Sequence, residues 1–550
     1  MEEGIEKRRE ELKKKIKRYF SSYDKILVWG IGIIIVVVYL YYFFKIGSQP
    51  IWWDEGDYLS IAKEFASGGS RPEWWMNFTR IRPLAFPLIL AFFFKLGASE
   101  IFVRFFTEFV PALICIWIIY KLGSELFNKK VGIASAVLLA VNWVFMFYSF
   151  RMLTDIPSLF FSALAFYFFW IKYEKPYLEN KGEKPLFLWL AVGFGALSFL
   201  IRYISALTLI VIVFYLLFTR RTKIFKNKNM WIALIVGLLV LSPYVIYNMQ
   251  TRGNVFPAWQ WYHGDQSTAQ FRAFAWDTLT FHLPNFFKSY NLIIFVIGSV
   301  LLLELFFYFD LILKQKERTK NNLLLCFLGV VIPLGYFIFG IKAVDARYFI
   351  ATAPLMFVVS GYAINWISKK VAKIVNKKEV YWAVFFVIIL LIVHQQLIVG
   401  DEFIKGRINS YKEIKEVGLW IKENSLPDAR VITASITQNQ YYSERDSYDY
   451  YTNDSIWNTC TISPDNINVY LSENETCQMG TEFAFNRKVR EIKPEYLVIS
   501  AFEPAFTPQW AYSYPQKYNL IFAQAFGNNN GNPLAIIYKI PEDFNPPVKE

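Results

Sequence analysis

The sequence predicts a mainly α-helical polytopic membrane protein of about eleven transmembrane helices, with amphipathic helices on the outer face and a small C-terminal extracytoplasmic α/β domain. Three observations carry this. The chain of 550 residues is 55% hydrophobic and 19% aromatic, more Phe, Tyr, Trp and Ile than a water-soluble chain of this size carries. The apolar residues gather in runs of about 20, the length that crosses the hydrocarbon core of a bilayer. Lys and Arg concentrate in alternate loops between those runs, the asymmetry that sets topology. The net charge of +13 is therefore an orientation signal, and no nucleic-acid partner is expected.

The order of elements divides the chain into a segment 1–25, a membrane domain 26–400 and a terminal domain 401–550. Segment 1–25 is basic and helix-forming, with Lys7-Arg8-Arg9, Lys13-Lys14-Lys15 and Lys17-Arg18 holding the N-terminus in the cytoplasm. The first apolar run lacks a small-residue cleavage site, so it reads as an anchor and not as a removed signal peptide. Spans are expected at 26–46, 101–120, 131–149, 156–172, 186–201, 203–219, 230–248, 291–313, 323–341, 349–367 and 380–399. Leu84 to Leu96 is apolar but too short to span, and is expected as an interfacial or re-entrant helix.

The basic loops hold Lys121/Lys129/Lys130, Lys172/Lys175/Lys181/Lys184, Arg220/Arg221/Lys223/Lys226/Lys228, Lys314/Lys316/Arg318/Lys320 and Lys369/Lys370/Lys373/Lys377/Lys378. By the positive-inside rule they are cytoplasmic, and an odd number of spans places residues 401–550 outside. The outer face then receives Trp52-Trp53-Asp54-Glu55-Gly56-Asp57-Tyr58, Arg80-Ile81-Arg82-Pro83-Leu84, Thr154-Asp155-Ile156-Pro157, Arg202-Tyr203 at a hairpin between two spans, and Asp345-Ala346-Arg347-Tyr348. Ionisable groups at a membrane boundary are costly to desolvate and mark substrate or ion paths.

Residues 401–550 change character, being polar and rich in Tyr, Asn and Ser. A helix is expected at 410–424, with apolar runs at Arg430–Ser435, Tyr496–Phe502, Leu520–Phe526 and Leu534–Ile540 as strands. Cys460 and Cys477 fall in this domain and are expected to form a disulfide in an oxidising exterior; Cys115 and Cys326 fall in spans. Asn77, Asn453 and Asn474 begin matches to the N-glycosylation acceptor pattern.

The polar clusters admit two readings each. Asp54 shares a helix face with Asp57 and Tyr58, and Glu55 is displaced to the side. A carboxylate partly shielded from water gains basicity and can take a proton from an acceptor hydroxyl; the plain alternative is acid enrichment at a helix N-terminus. Arg80, Arg82, Arg202 and Arg347 suit a lipid phosphate, which Arg binds bidentately, or else they snorkel to the interface. Asp345 is placed to orient Arg347, and Tyr348 offers a hydroxyl to an acceptor. Asp155 is a second outer carboxylate, or a cap for the span that follows. The aromatic loop at 249–290, with Trp259, Trp261, Tyr262, His263, Asp265, Trp276 and His282, could stack on a sugar and cover the site. Its spacing matches no metal pattern, and no Gly-rich nucleotide loop, Walker pattern or zinc-finger spacing occurs.

The arrangement resembles the GT-C glycosyltransferases that use polyprenyl-phosphate sugars, and most of all the protein O-mannosyltransferases and the aminoarabinose transferases of lipid A. In that family an Asp-Glu pair follows the first span, as Asp54-Glu55 does. A basic-Pro-Pro-Leu motif is matched by Arg82-Pro83-Leu84 with one proline missing. An outer Asp after the third span resembles Asp155. A Leu-Thr-Lys-like hairpin resembles Leu200-Ile201-Arg202-Tyr203, and a Glu-Arg-Tyr-like motif resembles Asp345-Ala346-Arg347-Tyr348 with Asp in place of Glu. The resemblance covers residues 25–400. It implies an inverting transfer of a sugar from a dolichyl or undecaprenyl phosphate to a glycan, lipid or protein acceptor on the outer face. Asp54 would be the general base, Glu55 and Asp155 would position acceptor or base, and Arg82, Arg202 and Arg347 would hold the donor phosphate, with Tyr58, Arg80, Tyr203 and Tyr348 lining the substrate site. No cofactor is required, because the lipid phosphate is already a leaving group; a divalent metal stays open, with no metal ligand assigned.

Two other classes compete. A transporter or flippase of a lipid-linked sugar would also bind a lipid phosphate, but needs no base beside an acceptor and often shows internal repeats, of which the sequence has none visible. A membrane sensor would use its spans only as anchors, and would not scatter polar clusters over one face.

Overall fold

The computed structural model of the protein describes residues 26–71, 82–257, 275–307, 317–340, 345–450, 482–527 and 531–547. Among them, eight helices are long and apolar enough to cross a membrane: Ile26–Ile46, Glu100–Leu126, Asp155–Leu178, Tyr203–Lys226, Lys228–Arg252, Thr278–Leu303, Lys320–Phe339 and Lys378–Lys405. A bent pair, Ala346–Thr352 and Pro354–Val375 meeting at 86°, brings the number to as many as nine.

Two runs expected as full spans are shorter helices. Residues 131–149 divide into Lys129–Val141 and Trp143–Tyr148, because the Asn142 side chain accepts the Phe145 N–H (3.0 Å) and starts a second helix. Pro185–Ile201 is a helix of 17 residues that begins on a proline and stops where Arg202 turns extended. Lys129–Val141 runs through the bundle interior, with Val131 to Ala140 buried. It crosses Glu100–Leu126 at backbone contact: a Cβ added to Gly132 would lie 2.4 Å from the Tyr120 carbonyl oxygen, the small-residue approach that membrane helices use.

The Trp53–Ser67 helix lies outside the spans, between Ile26–Ile46 and the short apolar helix Ala85–Lys95. The latter has the length expected of an interfacial helix, and its Phe86 meets Tyr58 edge-on at 5.3 Å. Glu55 accepts the Trp52 N–H (2.7 Å) and so closes the first turn, while Gly68 at φ 115° ends the helix.

The described residues between 412 and 547 build a mixed five-stranded sheet, ordered Asp446–Tyr448, Arg430–Thr433, Tyr496–Ser500, Pro533–Lys539, Ile521–Gly527. The strands are β1 (Arg430–Thr433), β2 (Asp446–Tyr448), β3 (Tyr496–Ser500), β4 (Ile521–Gly527) and β5 (Pro533–Lys539). β1 is parallel to both β2 and β3, and β5 lies antiparallel between β3 and β4. The pleat sends alternate residues to opposite faces. Val431, Tyr496, Val498 and Ile537 pack under the Lys412–Asn424 helix. Ile432, Leu497 and Ile499 pack with Phe485 and Val489 of the Glu482–Ile492 helix. The helix at 410–424 and four of the strands follow the apolar runs of the sequence. β2 and the Ile436–Ser443 helix do not, being short and polar. Cys115 and Cys326 are buried free thiols; Cys460, Cys477, Asn77, Asn453 and Asn474 lie outside the described residues.

Candidate active site

Five separated segments meet at the end of the helical bundle that carries the sheet domain. Asp54 sits in the first turn of Trp53–Ser67, and its two carboxylate oxygens are divided between two arginines. Oδ1 accepts from Arg82 Nη2 at 2.8 Å, and Oδ2 accepts from Arg347 Nη2 at 2.9 Å. Arg82 reaches there because Pro83 and Leu84 lead directly into Ala85–Lys95, which packs on the acidic helix. Arg347 reaches there because the bundle breaks at Asp345, whose side chain accepts the Arg347 N–H (3.0 Å) and starts the short helical turn Ala346–Thr352.

Beside this triad, Arg202 Nη1 pairs with the buried Asp155 Oδ1 at 2.7 Å and donates to Thr154 Oγ1 at 3.1 Å. Thr154 in turn engages the Tyr58 hydroxyl. The Arg202 and Arg347 guanidinium groups lie 5.1 Å and 5.9 Å from the Tyr348 ring centre, and Arg82 lies over the Tyr58 ring at 5.4 Å. Three arginines, two aspartates and two tyrosines expected at the site are thus in one cluster. The Asp54, Arg82 and Arg347 side chains keep about a fifth to a third of their surface (23%, 29% and 22%), so the cluster is reachable.

Two expected residues depart from their assigned place. Glu55 is fully buried and does not reach the cluster. It accepts from Arg151 Nη1 (3.0 Å), Met152 N (2.8 Å) and Trp52 N (2.7 Å), so its oxygens are spent on fixing the helix. Tyr203 turns away to share a hydrogen bond with Tyr244 (2.8 Å) and pack on Phe256. Arg80, together with Trp259, Trp261, Tyr262, His263 and Asp265, lies outside the described residues. Asp57, not assigned to the site from the sequence, joins it at 3.5 Å from Arg82 Nη1, while Arg151, the buried partner of Glu55, braces the helix from outside the cluster. Asp57 carried a legible signal, its position three residues after Asp54 on the same helix face.

The electrostatics correct one expectation. Burial works to raise the Asp54 pKa, but the Arg82 and Arg347 guanidinium groups outweigh it and hold the carboxyl below its usual range. The group with raised basicity is Asp57: burial and the neighbouring Asp54 charge push it to about 7 against the pull of Arg82. Burial works against the Arg82 charge, but the neighbouring Asp54 and Asp57 carboxylates outweigh it and hold the guanidinium protonated. Among the described residues, no three His, Cys, Asp or Glu side chains group as metal ligands.

A membrane bundle that bears a small α/β domain beside a polar acid–arginine cluster has the GT-C type of fold. Residues 81–247 match the family model of dolichyl-phosphate-mannose-protein mannosyltransferase. The fold is similar to ArnT from Cupriavidus metallidurans in its apo state (TM-score 0.59, 12% identity, 93% of this chain and 98% of that one). It is equally similar to ArnT bound to undecaprenyl phosphate (TM-score 0.60, 10% identity, the same coverages). The archaeal oligosaccharyltransferase AglB from Archaeoglobus fulgidus, in complex with an inhibitory peptide and a dolichol-phosphate, matches with TM-score 0.58 at 13% identity over 93% of this chain and 76% of that one. No curated protein sequence matches the chain. The chain thus resembles the GT-C glycosyltransferases of the protein O-mannosyltransferase and ArnT kind.

Proposed function

We propose that the protein is an integral-membrane glycosyltransferase that moves a sugar from a polyprenyl phosphate to an acceptor hydroxyl on the outer membrane face, with inversion at the anomeric carbon. The observation that carries this reading is Asp54 held between Arg82 and Arg347, beside the Asp155–Arg202 pair. Two guanidinium groups that converge on one carboxylate also present the geometry that binds a phosphate. The ArnT and AglB neighbours, solved with undecaprenyl phosphate and a dolichol-phosphate, support that class of donor. The basic loops named above support an outer-face position for the cluster by the positive-inside rule.

In this reading, the donor phosphate docks on Arg82 and Arg347 and draws them away from Asp54. The carboxylate then loses the partners that depress its pKa, and its basicity rises as substrate arrives. The acceptor oxygen attacks the anomeric carbon from the side opposite the phosphate. Its proton passes to Asp54, the carbon–oxygen bond to the phosphate breaks, and the electron pair leaves on the lipid phosphate. Arg82, Arg202 and Arg347 stabilise the charge that develops there. Asp155 orients Arg202, Tyr348 and Tyr58 line the groove, and Glu55 acts at a distance by fixing the helix. No cofactor enters this scheme, and the proposed partners are the bilayer, the lipid-phosphate donor and a glycan, lipid or protein acceptor.

One observation favours a second assignment of the base. Asp57 has a pKa of about 7, near working pH, and shares Arg82 with Asp54. The test is sugar release from purified polyprenyl-phosphate donors of several sugars by the protein in lipid nanodiscs, run with wild type, Asp54→Asn and Asp57→Asn. Acceptor-dependent release lost in Asp54→Asn supports the reading, and loss in Asp57→Asn alone reassigns the base. Donor binding in nanodiscs with movement across the bilayer of sealed proteoliposomes, and no release in either, identifies a transporter.

A further inference from the structure

The C-terminal sheet has a switch point. The chain passes from β1 to β2 on one side, then returns to place β3 on the other side of β1. In open α/β sheets, the crevice at the carboxyl ends of the two strands flanking such a reversal is where a ligand binds. Here β1 leads through Ala434 and Ser435 into the Ile436–Ser443 helix, and β3 leads to the short turn Pro504–Phe506.

What occupies those two connections is the first turn of the acidic helix. The Trp53 ring stacks on Phe506, with centroids 5.5 Å apart and planes 21° apart. Thr437 Oγ1 donates to the Trp53 carbonyl oxygen at 2.7 Å. The backbones meet so closely that a Cβ at Gly56 would sit 2.7 Å from the Thr437 carbonyl carbon and 2.8 Å from its oxygen. These are main-chain atoms that cannot swing aside, so position 56 must be glycine for the two helices to meet. Just before the helix, the Ile51 N–H donates to the Tyr442 hydroxyl at 3.0 Å. The grip falls at positions 51, 53 and 56, on either side of Asp54.

We propose that the switch-point crevice of the C-terminal domain holds the Trp53–Gly56 turn as its built-in ligand, and that Thr437, Phe506 and Tyr442 are positioning residues for Asp54. The domain is then part of the active site, although none of its described side chains pairs with Asp54. The catalytic consequence rests on the proposed transfer reaction; the mechanical grip does not. A misplacement of about 1 Å in a catalytic group can cost on the order of 100-fold in rate, so a loosened first turn is costly.

The test uses the full chain in nanodiscs with Thr437→Val, which keeps shape but removes the hydroxyl, and Thr437→Ser, which keeps the hydroxyl. Deuterium uptake of the segment 51–60 is measured without donor, and kcat and KM for donor are measured with a lipid-phosphate sugar. Thr437→Val should exchange faster than wild type across 51–60 and lose about tenfold in kcat, with KM for donor within about twofold. Thr437→Ser should restore both. The proposal is overturned if Thr437→Val matches wild type in exchange and kcat, or if the serine variant fails as badly as the valine variant. It is also overturned if kcat falls while exchange stays unchanged, and its positioning half is overturned if exchange quickens while kcat holds. Should the wild type prove to have no transfer activity, the exchange arm still decides the grip, and only the proposed reaction falls.

Discussion

Asp54 and Glu55 are neighbours on one helical turn with the same functional group, and the fold gives them opposite tasks. Asp54 faces two arginines whose side chains still reach the surface, so a substrate phosphate can compete for them. Glu55 faces one arginine in a sealed interior, with two backbone N–H groups completing its coordination. Trp52 seals that side: Arg151 lies 4.0 Å from its ring centre, and Arg407 lies 5.4 Å from the same centre. The difference shows that an acid–arginine pair is chemically available only where its partners can be exchanged for substrate. A pair whose partners are fixed holds the frame on which the other works.

Asp54→Asn is the sharpest way to break this comparison. The amide keeps the shape but cannot accept the acceptor's proton, so turnover at saturating donor should fall by about 10²- to 10⁴-fold, the usual share of general base catalysis. Thermal stability should fall less than in a variant of Glu55, because Arg82 and Arg347 stay partly solvated when the carboxylate is gone. If turnover survives, the Asp54 side is as structural as the Glu55 side.

The reverse pattern is expected of Glu55→Gln. It leaves the Arg151 charge buried without its counterion, and removing one partner of a buried pair costs about 3–5 kcal/mol. The purified protein should melt at a clearly lower temperature, or accumulate poorly. Adding Arg151→Met to Glu55→Gln should recover part of that loss, since two absent charges cost less than one unpaired charge. A Glu55→Gln protein with wild-type stability and abolished turnover would exchange the two roles.

The sequence displayed the ingredients of this site but not their assignment. The motif Trp52–Tyr58, the arginines at 82, 202 and 347, and Asp155 stand out because charge beside apolar runs is conspicuous. Helical periodicity put Asp54, Asp57 and Tyr58 on one face. It could not say whether Asp54 or Glu55 met the groove, because Arg151 lies 96 residues from Glu55 in the chain. It likewise suggested that Asp54 would gain basicity by desolvation; two arginines from distant segments reverse that sign. The spans were legible where apolar runs were unbroken. They were less so at Asn142, where a polar cap inside an apolar run divides one helix in two. In the C-terminal domain, apolar runs revealed four strands, whereas three-residue β2 and the polar Ile436–Ser443 helix, which grips the acidic turn, had no apolar pattern to betray them.

A smaller effect sharpens the exchangeable side of the comparison. Arg82→Ala and Arg347→Ala should each weaken donor binding by about 10- to 100-fold, because hydrogen bonds to charged groups contribute roughly 1.5–3 kcal/mol. Titration of nanodiscs with a fluorescent polyprenyl-phosphate sugar measures it. Wild-type binding by both variants would leave them as interfacial anchors and remove the phosphate from the mechanism.

The smallest effect comes from Asp57. Its folded-state pKa of about 7 lies above the ordinary value of 3.8. Between those values the folded protein therefore binds a proton that the unfolded chain has released. Its contribution to stability is fully present below about 4 and declines as pH rises towards 7. Donor binding should move in the same direction. Below pH 7 Asp57 is neutral and leaves Arg82 to Asp54 and the phosphate; above it a carboxylate 3.5 Å from Arg82 competes for that arginine and repels the donor. A lipid-phosphate sugar is a phosphodiester and keeps its single charge throughout this range, so the titration belongs to the protein. The donor Kd should rise by up to about fivefold from pH 6 to pH 8, the scale of a partly exposed ion pair. Asp57→Asn should bind with a flat profile at the low-pH affinity. A flat profile in the wild type would mean that Asp57 does not share Arg82 with the donor, and that the exchangeable side of the helix ends at Asp54.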